Sequence, residues 1–271
     1  MEKKEFDLVI GFITGYKYPK IKPWVESLLN SGFTGQKMMV TYNIEKDVIE
    51  QLESLDFIVI PLTTTGQFNI VKERFLSTWQ YLKFIKEKPR YIISTDVADV
   101  VFQSNPSEWL ELQPADVISS GEAIRIKDEH WNRHNIIKNF GEYFYEEIKD
   151  RIVQCVGVLA AQSTYMKDLA FYIYQMSLNR PDWVADQAAY NMLVHHEPWK
   201  SIATNCSLQD CWATNAHVTN YEKDKHIFAP FLMDVPPVLE NGQIVHGKSK
   251  RPFYIVHQYD RVKDWKKFFE Q

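Results

Sequence analysis

Between residues 6 and 95, apolar runs of strand length alternate with amphipathic runs of helical length, and no other feature narrows the fold as much. The strand-like runs are FDLVIGFIT at 6–14, KMMVTYN at 37–43, FIVIPL at 57–62 and YIIST at 91–95. Between them lie PWVESLLNSG, DVIEQLESL and NIVKERFLSTWQYLKFIKE, whose apolar residues recur at helical spacing. Pro23 suits a first helical turn and Gly32 a helix stop. Strands joined through helices of this length pair in parallel by right-handed crossovers. The expected class is α/β, with a Rossmann-like, open, mostly parallel sheet flanked by helices.

Beyond Pro106 the pattern loosens. SEWLEL reads as a short helix, DVISSGE as a strand, and residues 123–150 as loop plus helix. VQCVGVLAAQ at 153–162 is nearly all apolar, as a strand buried on both faces should be. Helical patterns follow in TYMKDLAFYIYQMSL and VADQAAYNMLVHH, and short strands with turns, at 241–243 and 247–252, fill a smaller mixed C-terminal portion. The chain has 271 residues, 45% of them hydrophobic, enough for a large core. With no internal repeat and no low-complexity linker, it reads as one domain, 1–271, of two halves, 1–105 and 106–271.

The chemistry concentrates where the fourth strand ends. In YIISTDVADVVFQSNP, residues 91–106, an apolar run stops at Asp96 and a second acid follows at Asp99. Ligands of open parallel sheets bind beyond the carboxyl ends of the strands. Two carboxylates there repel each other unless a cation lies between them, and hard ions such as Mg²⁺ or Mn²⁺ favour such an oxygen-rich site. A turn cap at Asp96 and a solvated Asp99 would account for the same residues. In a regular strand, residues three apart face opposite sides. Both acids can therefore serve one site only if Val97 and Ala98 form a turn, which we expect.

This stretch resembles the DxD region of GT-A glycosyltransferases: a strand ending in paired acids, then VVFQSNP, with an Arg on the preceding helix. The spacing departs from that motif, because two residues separate Asp96 from Asp99. The resemblance implies a GT-A fold, a Mn²⁺ or Mg²⁺ cofactor on Asp96 and Asp99, and a nucleotide-sugar donor, a UDP-sugar foremost. It implies that 1–105 binds the nucleotide and 106–271 a glycan or lipid-linked acceptor. FITGYKY at 12–18 is similar to the family's nucleotide loop, which implies donor contacts from Thr14 and Tyr16; Arg74 matches a basic residue near the donor. VQCVGVLAAQ resembles the small-residue strand before the acceptor site, where Gly157 would let substrate approach the backbone. Asp186–Gln187 looks like the family's DQ pair, whose acid lies beside the transferred sugar, although helix N-capping also explains an Asp there. Asp186 would act as general base of an inverting reaction or stabilise the transition state of a retaining one, and the DQ pair leans toward retention. His257, ending the apolar run PFYIVHQYDR, is the implied third metal ligand, oriented by Gln258 or Asp260, with His246 its rival; Arg261 would neutralise diphosphate.

Other features narrow the class. The net charge of -4 gives no positive field for nucleic acid. Three cysteines without a CxxC pair argue against a disulfide framework or zinc knuckle and fit a reducing compartment. His130 and His134 share a helical face without an acidic partner, and His195–His196 closes a helix where its dipole would favour a cation. MEKKEFDLVIGF enters a strand at once without a signal-peptide pattern, and no run approaches ~20 apolar residues, so a cytoplasmic protein is expected, and the resemblance to GT-A enzymes implies one that builds surface polysaccharide. RVKDWKKFFEQ places Trp265, Phe268 and Phe269 among lysines, as either a docked terminal helix or a peripheral foot on the inner membrane surface. Two alternatives stand beside glycosyl transfer: a nucleotidyltransferase, of whose Gly-rich phosphate loop FITGYKYPK is a faint version, and a noncatalytic carbohydrate-binding protein.

Overall fold

The computed structural model describes residues 5–64 and 68–270. Its strands are β1 (Leu8–Thr14), β2 (Gln36–Tyr42), β3 (Ile58–Leu62), β4 (Tyr91–Thr95), β5 (Val100–Phe102), β6 (Val117–Arg125), β7 (Ile152–Gln162), β8 (Ala203–Cys206), β9 (Ala213–Asn215), β10 (Val238–Glu240), β11 (Gln243–Val245) and β12 (Ile255–His257). The principal helices are α1 (Tyr18–Asn30), α2 (Lys46–Ser54), α3 (Ile70–Phe84), α4 (Pro106–Leu112), α5 (His130–Phe140), α6 (Glu142–Ile148), α7 (Ser163–Ser177) and α8 (Asp186–Val194).

A seven-stranded sheet runs in the order β3-β2-β1-β4-β7-β6-β8. Its β1, β2, β3 and β4 pair in parallel through α1, α2 and α3, as the alternating pattern requires. Within it, β7 alone runs against its neighbours β4 and β6. The fold is thus α/β with a large, mostly parallel sheet flanked by helices. Buried side chains cover both faces: Trp24, Ile21 and Leu28 of α1 lie in the cluster on one side, and Leu169, Ile173 and Tyr190 of α7 and α8 in that on the other. One local expectation shifts. Helix α1 begins at Tyr18, so Pro19 occupies its first turn and Pro23 lies inside it, while Gly32 adopts φ +82° just beyond the end.

A second, three-stranded sheet, β5-β12-β9, builds the site. Its register pairs His257 antiparallel with Val100 and parallel with Asn215. The hairpin of β10 and β11 turns through Asn241 and Gly242, both at positive φ. In the terminal helix Lys263–Phe269, Trp265 is buried and Phe269 meets Tyr259 edge-on at 5.4 Å, so its aromatics dock while Lys263, Lys266, Lys267 and Phe268 stay exposed. No helix among the described residues is long and apolar enough to cross a membrane.

Candidate functional site

Strand β4 stops at Thr95, Val97 bends and Ala98–Asp99 turn before β5 begins at Val100, so the expected turn is present. Val97 is buried, so close to Gly11 that a Cβ there would stand 2.6 Å from its Cγ2. This anchors the turn and leaves Asp96 and Asp99 facing one point. The Val100–His257 register adds the third group: His257 Nε2 lies 3.4 Å from Asp96 Oδ2 and 3.7 Å from Asp99 Oδ1. One ligand atom from each of the three lies within 4.8 Å of the others.

Gly157 makes this convergence possible. A Cβ on it would fall 2.4 Å from His257 Cε1 and 2.9 Å from Asp96 Oδ2. The space its missing side chain leaves is therefore filled by two members of the triad. The Asp96 amide also donates to Gly157 O at 2.8 Å. On the far side of His257, Nδ1 meets Asn215 Oδ1 at 2.9 Å, and Asn215 Nδ2 donates to Ser120 Oγ at 2.9 Å. An amide oxygen only accepts, so Nδ1 carries the proton and Nε2 faces the carboxylates. Asn215 therefore orients this ring. Gln258 instead accepts from the His217 amide, and Asp260 lies beside Lys20 and Arg261.

Arg74, buried on α3, joins the acids to α8. Its Nη1 donates to Asp96 Oδ1, and its Nη2 to Asp186 Oδ2 at 2.8 Å. Asp96 thus offers one oxygen to Arg74 and the other to the triad. Ala185, not Asp186, occupies the N-cap of α8, and Asp186 Oδ1 is buried with no partner among the described residues. Burial opposes the charge of Asp96, but Arg74 and His257 hold its carboxyl well below the usual range. Burial pushes the Asp99 carboxyl up, helped by Asp96. Burial likewise raises Asp186 against the pull of Arg74. For His257, burial disfavours the proton, yet Cys155, Asp99 and Asp96 outweigh it and raise its pKa well above normal. Burial keeps the Cys155 thiol protonated, so the carboxylates are the charged source. Two acids and one imidazole, brought together over Gly157, form a donor set that fits Mn²⁺ or Mg²⁺ once an ion displaces the proton on His257 Nε2.

Two adjoining chambers share Arg74, Asp96 and Asp99 in their walls. The outer, about 320 Å³, adds Tyr16, Lys20 and Asp260; the inner, about 390 Å³, adds Glu122, Asn132, Gly157, Asp186, Gln187 and Arg261. Burial, then Asp99 and Asp96, raises the Tyr16 hydroxyl pKa. Thr14 ends β1 and lines neither chamber. Gln187 donates to Asn132 Oδ1 at 2.9 Å and Glu122 Oε1 at 3.3 Å. Glu129 caps α5, accepting from Trp131 N and from Asn132 N and Nδ2. Sequence reasoning missed Glu122, Glu129, Asn132 and Asn215; the Gly121–Arg125 break in the β6–β7 register was the missing signal for Glu122.

Three other histidines have structural partners. His246 binds Ser249 Oγ and Asp234 Oδ1 away from the triad, and His130 stacks on Phe228. His195 is not a dipole-stabilised cation: burial lowers its pKa to about 4, and its Nε2 contacts Ile152 O at 3.0 Å. Cys155, Cys206 and Cys211 are free and buried. Among the described residues, Asp96, Asp99 and His257 form the metal-competent group found.

No protein-family profile and no curated protein matches the chain. Among solved structures it is similar to the glycosyltransferase GlyE of Streptococcus pneumoniae TIGR4, with a TM-score of 0.56 and 14% identity. The match covers 98% of this chain and 60% of that one, so this chain spans less than two thirds of its neighbour. At that identity the likeness concerns the fold: the α/β sheet and its flanking helices are arranged as in a glycosyltransferase of known structure.

Proposed function

We propose that this chain is a metal-dependent glycosyltransferase of GT-A type, a hexosyltransferase that moves a sugar from a nucleotide diphosphate to an acceptor hydroxyl. One observation carries the reading: Asp96, Asp99 and His257 converge beyond the carboxyl end of β4, between two adjoining chambers. The likeness in fold to GlyE supports it. The outer chamber, with Tyr16 and Lys20, takes the nucleotide, a UDP-sugar foremost, and the inner takes the sugar and a glycan or lipid-linked acceptor. Residues 1–105 and 106–271 form the two halves of one domain, working in cytoplasmic polysaccharide synthesis.

Mn²⁺ or Mg²⁺ on Asp96, Asp99 and His257 would supply positive charge to the leaving diphosphate. Arg261, whose side chain is 40% exposed at the inner chamber, swings onto the same phosphates. Arg74 keeps Asp96 ionised and fixes Asp186, whose buried Oδ1 accepts from a sugar hydroxyl or faces positive charge developing on the sugar. Gly157 holds the wall close, and Gln187 positions polar groups around the sugar.

Calorimetry with UDP, GDP and CMP, with and without Mn²⁺, tests this. In wild type one nucleotide should bind only with the ion, and Asp99→Ala and His257→Ala should each lose that binding. Ion-independent binding, or none, would overturn the reading. Binding without release of nucleotide from any nucleotide sugar would favour a noncatalytic carbohydrate-binding protein.

A further inference from the structure

The inner chamber contains a carboxyl to which the glycosyl-transfer reading assigns no role. Glu122 projects from β6 where its pairing with β7 breaks between Gly121 and Arg125, and Ala123 next to it takes φ +56°. The break leaves residues 122–124 without a paired residue on β7, and Glu122 lies at the chamber wall. It is 7% exposed, and its one side-chain hydrogen bond among the described residues is the long 3.3 Å contact from Gln187 Nε2. The other acids of the chamber are committed. Asp96 and Asp99 face His257, Asp186 is tied to Arg74, and Glu129 accepts three N–H groups at the start of α5.

We propose that Glu122 is the general base that takes the proton from the acceptor hydroxyl. The inference rests on the transfer reading above. In the step, the hydroxyl proton passes to the Glu122 carboxylate and the oxygen forms a bond to the anomeric carbon. The bond from that carbon to the diphosphate oxygen breaks, its electron pair leaving on the diphosphate. Attack from the side opposite the leaving group inverts the anomeric centre.

The surroundings match the task. Burial raises Glu122 to about 7, helped by Glu129 and opposed by His257, with Gln187 and Cys155 lending weak hydrogen bonds. His217, Arg261 and Asp186 line the same chamber. A base works best when its pKa lies near the operating pH. Asp186 suits this role less well, because its Oδ2 is already held by Arg74.

The full chain is assayed with Mn²⁺ and a panel of UDP- and GDP-hexoses, water serving as acceptor, and nucleotide release is followed from about pH 5 to about pH 9. Wild-type release should rise with pH as Glu122 ionises. Glu122→Gln should lose about 100-fold in kcat and its acid limb, while ion-dependent nucleotide affinity stays unchanged. Glu122→Asp should keep the limb at a reduced rate. NMR of the first-formed sugar from wild type should show inversion. A Gln variant with wild-type rate and pH profile, or a retained anomer from wild type, overturns the proposal and leaves the transfer reading standing. Ion-dependent nucleotide binding without release by wild type overturns both.

Discussion

Two polar clusters share the inner chamber, and they are built on opposite principles. In the Asp96–Asp99–His257 cluster, ionisable groups converge on one point with no neutral donor among them. In the Glu129–Asn132–Gln187 cluster, amides separate the acid from its neighbours: Glu129 accepts three N–H groups, Asn132 accepts from Gln187, and Gln187 Oε1 accepts from Val156 N at 3.4 Å. The second cluster satisfies itself through neutral amides, whereas the first is held by charge, from the protonated His257 and Arg74 or from an ion. That contrast separates a scaffold from a binding site, since buried acids are stable only when paired or hydrogen-bonded.

Removing Arg74 is the most severe way to break the contrast. Arg74→Met leaves Asp96 and Asp186 facing one another without their guanidinium. Loss of one partner from a buried ion pair costs about 3–5 kcal/mol. Urea denaturation in EDTA should show a loss of that order, and Mn²⁺ should restore part of it. A loss under about 1 kcal/mol would show that the cluster does not depend on that charge.

Glu122 lies between the two clusters, and its effect on stability can be read without any substrate. Its folded pKa is about 7 against a usual 4.5, so the folded protein binds the proton more tightly than the unfolded chain. Its contribution is therefore fully present below about pH 4.5 and is lost as pH rises through about 7. That gap, at about 1.4 kcal/mol per pH unit, amounts to about 3 kcal/mol. Glu122→Gln, which cannot ionise, should match wild type near pH 4.5 and exceed it by up to that amount near pH 8, measured in the metal-free protein. Parallel pH profiles for the two proteins would place Glu122 with the self-satisfied cluster.

The two clusters were also unequally legible in the sequence. The β1–β4 alternation, the Val97–Ala98 turn and His257 at a strand end follow from periodicity and from the repulsion of paired acids, which are local properties. Asn215 acts through the pairing of two three-residue strands distant in sequence, β9 and β12, and neither announces its partner. Glu122 depends on a register break, visible only once β6 meets β7. His195 looked suited to a helix dipole because its spacing was visible, while the burial that keeps it neutral was not.

Asn215 allows the finest test, because it touches the metal-competent cluster only through another side chain. Its Oδ1 accepts from His257 Nδ1 and its Nδ2 is held by Ser120, so the ring is clamped with Nε2 toward Asp96 and Asp99. Removing the outer partner of a ligating imidazole typically weakens metal affinity about 10–100-fold. Asn215→Ala should weaken Mn²⁺ binding by that amount in calorimetry. Asn215→Asp keeps an acceptor at the same place and should retain most of the affinity. If both variants bind Mn²⁺ as wild type does, the His257 ring is held by its strand register with Val100 alone, and the first cluster is more self-sufficient than its charges suggest.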